Sequence, residues 1–151
     1  MDPLQRLLDD QKMAMKAGDK LRLGVIRFLR SELKNAEIAK KGPLNEGEAV
    51  AIVQRELKRR KEAMLDYEKA DRPALVKELK EEIEILSDYL PPQLSEDEIK
   101  EMVQSAITEL GVFSKKEMGK LMGYLMPKVK GKADGSLVKK IVEELLELNL
   151  G

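Results

Sequence analysis

The residues whose types and spacing favour a chemical role are lysines near the C-terminal end of the chain. Lys128, Lys130 and Lys132 alternate around Val129 and Gly131, shortly before a predicted helix. Backbone N–H groups and the positive end of the helix dipole attract anions at such a helix start. From residue 115 to residue 140, eight lysines stand against two acidic residues, a local charge of eight minus two, or +6. A solvated surface loop is the default interpretation of these features taken alone, and phosphate binding is the alternative.

Most familiar catalytic groups are missing from the composition. The 151 residues include neither cysteine nor histidine, which removes thiol nucleophiles, thiolate metal sites and the commonest general base near neutral pH. Four glutamates of one predicted helix fall mostly opposite its apolar stripe, as solvated acids do: Glu78, Glu81, Glu82 and Glu84. We therefore expect no catalysis by the chain alone, no metal site and no cofactor.

The chain as a whole carries no net charge, because 28 basic residues balance 28 acidic ones. Any electrostatic function must therefore be local. Two basic stretches occur in the first half: Arg22, Arg27, Arg30 and Lys34, then Arg55, Lys58, Arg59, Arg60 and Lys61. Both are interleaved with acidic residues, so ion pairing along helix faces is the default interpretation. Phosphate contact is the alternative.

Apolar residues recur at helical spacing along almost the whole chain, and no stretch shows the alternation of a strand. The pattern predicts an all-α fold. Asp2-Pro3 predicts the first helix start, Asp134 caps the last helix, and capping boxes mark three others: Asn45 with Glu48, Ser95 with Glu98, and Ser114 with Glu117. Glycine or proline marks the predicted ends, at Gly18, Gly42-Pro43, Arg72-Pro73, Pro91-Pro92, Gly111 and Pro127.

The Pro91-Pro92 pair predicts a boundary between two domains. Residues 1–92 are predicted to form an N-terminal domain of four helices, two of them long. Residues 94–151 are predicted to form a three-helix bundle, which at about 60 residues lies near the lower limit for independent folding.

Two glycines are spaced one turn apart on the helix before the lysine-rich loop. Gly119 and Gly123 each cost about 1 kcal/mol relative to alanine, so a close approach by another helix or backbone is expected to compensate. Met118, Met122 and Met126 have the same spacing. Core filling is the favoured interpretation of these methionines, and a partner-binding face is the alternative.

Taken together, these segments resemble the YqeY family over most of the chain. The similarity rests on segments in matching order: Ala14-Met15-Lys16, Asp19-Lys20, Arg59-Arg60-Lys61-Glu62, Tyr89 to Ser95, Met118 to Gly123, Leu125 to Lys128, and Lys130 to Gly135 with Leu137-Val138. The C-terminal part is similar in turn to the tail of the B subunit of the glutamine-dependent aminoacyl-tRNA amidotransferase. The resemblance implies a part in holding tRNA, and the catalytic body of that enzyme has no counterpart in these residues.

The resemblance and the lysines together predict an accessory, non-catalytic protein that binds the phosphate backbone of tRNA or another structured RNA. The expected nucleic-acid-binding residues are Lys120, Lys128, Lys130, Gly131, Lys132 and Lys139. One alternative is an adaptor that docks a synthetase or amidotransferase partner. A weaker alternative is a part of a carbon-nitrogen ligase with glutamine as amido donor. No membrane partner is expected, and the absence of a leader-like segment predicts a cytoplasmic location.

Overall fold

The structure, a computed structural model, describes the backbone of residues 3–150 and the side chains of residues 4–148. No strand occurs in that range, and the prediction of an all-α fold is confirmed. The helices are α1 (Pro3–Ala17), α2 (Lys20–Lys40), α3 (Glu46–Lys69), α4 (Pro73–Ser87), α5 (Glu96–Leu110), α6 (Met118–Val129) and α7 (Gly135–Leu150). The predicted role of Asp2 at the first helix start lies outside the described residues.

The chain divides into two compact units between Leu90 and Pro91. The first, unit 1, contains α1 to α4. The second, unit 2, contains α5 to α7 and a short 3-10 turn, Lys115–Glu117. None of the helices in the described range combines the length and the apolar character needed to cross a bilayer.

Unit 1 is built from two helix pairs, α1 with α2 and α3 with α4, and α2 contacts both helices of the second pair. Its core is aliphatic, and Ile26, Leu29 and Leu86 are completely buried in it. Between α1 and α2, Gly18 adopts a left-handed backbone with φ of +69°, which glycine adopts without steric cost. The predicted helix end at Gly18 is thus confirmed.

The α4 helix ends earlier than the proline pair suggested. Its last residue is Ser87, whose hydroxyl donates to the carbonyl of Ile83 at 2.8 Å. The following turn is held by side chains of α1, since Arg6 donates to the carbonyl of Asp88 at 2.8 Å and Tyr89 donates to Asp10 at 2.5 Å. Pro91 and Pro92 cannot donate α-helical bonds to the carbonyls of Ser87 and Asp88, so the helix ends here and the Arg6 bond satisfies the Asp88 carbonyl.

Unit 2 packs its three helices around a second aliphatic core, with Val103, Leu121, Val142 and Leu146 fully buried or nearly so. Its first helix begins as predicted, because the capping box of Ser95 and Glu98 is present in both directions. The same holds in unit 1 for Asn45 and Glu48 at the start of α3. Two of the three predicted capping boxes are therefore confirmed.

The start and the end of α6 both differ from the prediction. The Ser114 hydroxyl accepts from the N–H of Lys116 and caps the 3-10 turn, so the capping box with Glu117 is wrong and the α-helix begins only at Met118. At the other end, the helix continues through Pro127 to Val129. Pro127 lies on the exposed side near the C-terminal end of α6, where the missing N–H affects only the last turns.

Candidate nucleic-acid interface

The lysine-rich connection between α6 and α7 has a defined backbone. Gly131 is buried and has φ of +79°, a conformation that strongly favours glycine. Its carbonyl accepts from Nε2 of Gln93 at 2.9 Å, and the carbonyl of Lys132 accepts from the N–H of Leu94 at 2.8 Å. Gly131 therefore shapes the loop and holds its lysines outward, which is a positioning role.

The start of α7 is closed by two local contacts. Asp134 accepts from the N–H of Ser136 at 3.0 Å, so its side chain satisfies part of the helix end as predicted. A Cβ on Gly135 would lie 3.2 Å from Cε of Met126, so this glycine lets the methionine pack closely. At this helix start, the Asp134 carboxylate therefore already accepts from one of the backbone N–H groups that an anion would bind.

The three methionines of α6 have different surroundings. Met118 and Met122 are half-buried against the core of unit 2, where they fill space as predicted. Met126 is 37% exposed and packs at its tip near Gly135. Two of the three methionines therefore fill space in the core of unit 2.

Four of the predicted lysines have exposed side chains, and we call them the lysine set: Lys120, Lys130, Lys132 and Lys139. Within the described side chains, none of the four ammonium groups takes part in an ion pair or a side-chain hydrogen bond. They lie in the first turn of α6, in the α6–α7 connection and in the second turn of α7. Their charge is available to an external ligand.

Lys128 differs from that set. Its ammonium donates to the hydroxyl of Tyr124 at 2.7 Å and lies 3.9 Å from the centre of the Tyr124 ring. The same hydroxyl donates to Glu109 on α5 at 2.8 Å. Lys128 therefore lines a groove between α5 and α6, and its ammonium is engaged within the protein.

Gly119 and Gly123 are exposed on α6, and a Cβ at either would meet no atom within 4 Å. No packing in the described part of the chain compensates for their helix-destabilising effect. The close approach predicted from their spacing has no partner among the residues that the structure describes. The two glycines flank Lys120 and leave a flat, accessible strip of helix backbone beside it.

The basic residues of unit 1 contrast with the lysine set. Glu56 is 2% exposed and accepts from Nε of Arg55 at 3.4 Å, from Nη1 of Arg59 at 3.1 Å and from Nη1 of Arg60 at 3.3 Å. Arg60 also stacks over the Phe28 ring at 5.0 Å. Ion pairing, the default interpretation of this basic stretch, is confirmed for these three arginines.

In each unit, one hydrogen-bonded side chain has a raised pKa. Burial, followed by the hydrogen bond to Asp10, raises the pKa of Tyr89 in unit 1. In unit 2, the hydrogen bond to Glu147 raises the pKa of Lys115, whose ammonium lies 2.6 Å from that carboxylate. Across the described residues, no group of three or more acidic side chains is arranged to hold a metal ion.

An all-α chain of two helical units places this protein among small helical proteins. Comparison with known sequences is more specific. The profile of the YqeY family, described as Yqey-like protein, matches residues 4–146. The chain belongs to the YqeY family.

Curated relatives carry the name Altered inheritance of mitochondria protein 41, mitochondrial. The one from Pyrenophora tritici-repentis is 30% identical over 146 residues, which cover 95% of this chain and 80% of that protein. The one from Lachancea thermotolerans is 37% identical over 113 residues, which cover 73% of this chain and 60% of that protein.

These names correct one expectation. The prediction of a cytoplasmic location is wrong, because the relatives from Pyrenophora tritici-repentis, Lachancea thermotolerans and Kluyveromyces lactis are all named as mitochondrial proteins. The prediction rested on the absence of a leader-like segment, which does not specify the compartment in which a folded helical protein works.

Proposed function

We propose that this chain is a non-catalytic accessory protein that binds the sugar-phosphate backbone of tRNA through unit 2. The contacts are assigned to the lysine set, with Gly131 positioning the loop between α6 and α7. Lys128 is left out of the set because its ammonium is bound to Tyr124.

The observation that carries this proposal is the exposure of the four lysines of unit 2 without an acidic partner in the described residues, and three arginines of unit 1 provide the contrast. In unit 1, Arg55, Arg59 and Arg60 are held by Glu56. The lysine set in unit 2 is exposed without an acidic partner in the described structure. Unpaired ammonium groups that are already exposed bind phosphate without first breaking an internal ion pair, and release of counterions from the RNA then drives association.

The open strip at Gly119 and Gly123 supports contact with a backbone. A helix without side chains at two exposed positions lets a ribose-phosphate chain come close to Lys120. The resemblance of this segment to the tail of the amidotransferase B subunit supports the same ligand.

The aromatic residues favour recognition of RNA shape over recognition of bases. Tyr89 and Tyr124 are engaged through their hydroxyls with Asp10 and Glu109. Phe28 stacks with Arg60 in unit 1. Unit 2 contains two aromatic residues: Tyr124, whose ring lies 3.9 Å from the Lys128 ammonium, and Phe113, which is 62% exposed. Sequence-specific RNA binding usually stacks unpaired bases on several neighbouring rings, and one open ring does not form such a platform.

The proposal is tested by measuring tRNA affinity as a function of salt. Replacing Lys130, Lys132 and Lys139 together by alanine is expected to flatten the log-log salt dependence by about two to three, because each lost phosphate contact removes roughly 0.7 to 0.9. The matched control replaces Lys12, Lys61 and Lys77, which are equally exposed in unit 1 and change the net charge by the same amount.

The control variant is expected to keep the wild-type slope. Equal slopes in the wild type and both variants, or an equal flattening of the slope in both variants, would show that tRNA does not contact the lysine set.

A further inference from the structure

A groove between α5 and α6 in unit 2 is lined mainly by apolar and acidic residues, in contrast to the basic lysine set. Its volume is about 380 Å³, which lies within the range of sites that accommodate ligands. Its apolar floor includes Leu94, Met102 and Leu125. Met102 and Leu94 are only half-buried, so this apolar surface is accessible from outside.

The rim of the groove is acidic. Glu98, Glu101 and Glu109 line it, and Lys128 is its one lining cation, which gives one minus three, or −2. The hydrogen bond from the backbone of Ser95 lowers the pKa of Glu98, so this carboxylate stays ionised at neutral pH. The groove therefore keeps its negative charge under ordinary conditions.

Lys128 does not neutralise the whole rim. Its ammonium is drawn onto the Tyr124 ring and hydroxyl at one wall. Glu101, on the next turn of α5 after Glu98, is exposed and has no salt bridge within the described part of unit 2. An incoming cation thus meets at least one carboxylate that needs no displacement of an internal partner.

The combination of an apolar floor and an acidic rim matches one class of ligand. We propose that the α5–α6 groove binds a basic amphipathic helix of a protein partner. Aliphatic side chains of that helix sit on Met102 and Leu125, and its lysines or arginines face Glu98, Glu101 and Glu109. Helix-in-groove binding of this kind uses apolar anchors one turn apart, and a methionine in the floor adapts to their shape.

An RNA ligand does not fit this groove, because its phosphates would face three carboxylates. The groove is therefore a second binding surface on unit 2, and its charge is opposite to that of the lysine set. It gives an RNA-binding protein a means to contact a protein partner, and its existence does not depend on whether tRNA is the ligand of the lysine set.

The test uses the full chain and a labelled 18-residue peptide of leucine and lysine with helical periodicity. Fluorescence anisotropy is expected to show binding, and the same peptide with glutamate in place of lysine is expected to bind at least tenfold more weakly. Ser105 lines the groove and is exposed, so Ser105→Arg is expected to weaken the lysine peptide at least tenfold. Gln104→Arg, exposed on α5 but outside the groove lining, adds the same charge and is expected to leave binding unchanged.

Several results would overturn the proposal. No binding of the lysine peptide, equal binding of both peptides, or equal effects of the two arginine variants would each do so. Dimerisation of the wild-type chain in sedimentation, abolished by Ser105→Arg alone, would assign the groove to a second copy. A tenfold gain in tRNA affinity with Ser105→Arg alone would place RNA in the groove.

Discussion

Neighbouring lysines of unit 2 differ in what their ammonium groups contact. Lys128 is bound to Tyr124, whereas Lys130 and Lys132 are exposed on either side of a glycine that has the left-handed backbone conformation. The pairing of Lys128 with a tyrosine four residues earlier follows helical spacing and is readable from sequence in retrospect. The bond between Gln93 and Gly131 spans 38 residues and has no local signal. Tertiary contacts of this kind explain why residue type predicted the candidate site only in part.

At the scale of one residue, Tyr89 tests the contact between α1 and the turn after α4. Tyr89→Phe removes the hydrogen bond to Asp10 and is expected to lower the free energy of unfolding by about 1 kcal/mol, a reduced figure for a half-exposed bond to a charged group. Chemical denaturation measures this loss. Tyr67→Phe is the control, because no hydrogen bond of the Tyr67 hydroxyl occurs in the described structure.

The same residue predicts a pH dependence. The pKa of Tyr89 is raised above its ordinary value of 10.0 by burial and by Asp10, so the folded chain retains a proton that the unfolded chain loses. Stability from this group is complete below pH 10 and decreases as pH rises above it. The decrease should be smaller in Tyr89→Phe than in Tyr67→Phe, and identical alkaline profiles would contradict the raised pKa of Tyr89.

At the scale of helices, local patterns predicted the starts better than the ends. The boxes at Asn45 and Ser95 need only residues three apart, and both are present. The α4 helix ends at Ser87, four residues before Pro91, because a proline cannot donate the bond that would continue it, and side chains from α1 then hold the next turn. The continuation of α6 through Pro127 likewise depends on its exposed position near the end of a helix.

The capping box of α5 predicts an acid-dependent loss of stability. The hydrogen bonds from Ser95 lower the pKa of Glu98 below its ordinary value of 4.5. Because the unfolded chain binds this proton first, stability is complete above that value and is lost as pH falls through the folded pKa. Thermal unfolding between pH 7 and pH 3 should show a smaller loss in Glu98→Gln than in wild type. Glu101→Gln, on the same helix without such bonds, should retain the full loss.

The α6 helix allows stability and binding to be separated. Gly123→Ala is expected to stabilise the chain by about 0.5 to 1 kcal/mol, since the added Cβ meets no atom within 4 Å. It is also expected to weaken tRNA binding about tenfold, equivalent to 1.4 kcal/mol, by blocking close approach to the helix. Gly24→Ala in α2 is the matched control, because Gly24 is equally open inside a helix.

Melting temperature and tRNA affinity measured on both variants decide this point. Gly24→Ala should raise the melting temperature without changing affinity. If Gly123→Ala also leaves affinity unchanged, the open strip on α6 is not where RNA approaches.

At the scale of the whole molecule, the neutral net charge hides an uneven distribution. Unit 1 holds three arginines in ion pairs around the buried Glu56, whereas unit 2 contains both the exposed lysine set and a groove with an acidic rim. Composition alone predicted that electrostatic function must be local. The pairs around Glu56 follow helical spacing within α3 and are readable from the sequence. The pairs of Arg55 with Glu32 and of Arg60 with Glu82 are not, because they depend on the packing of α3 against α2 and α4.

The central claim is that tRNA contacts the lysine set of unit 2, and lysine acetylation rates measured by mass spectrometry test it most directly. With tRNA bound, Lys120, Lys130, Lys132 and Lys139 should react more slowly than in the free chain. The equally exposed Lys12, Lys61 and Lys77 of unit 1 should react at unchanged rates. Uniform protection of all seven lysines, or protection in unit 1 alone, would contradict the proposed interface.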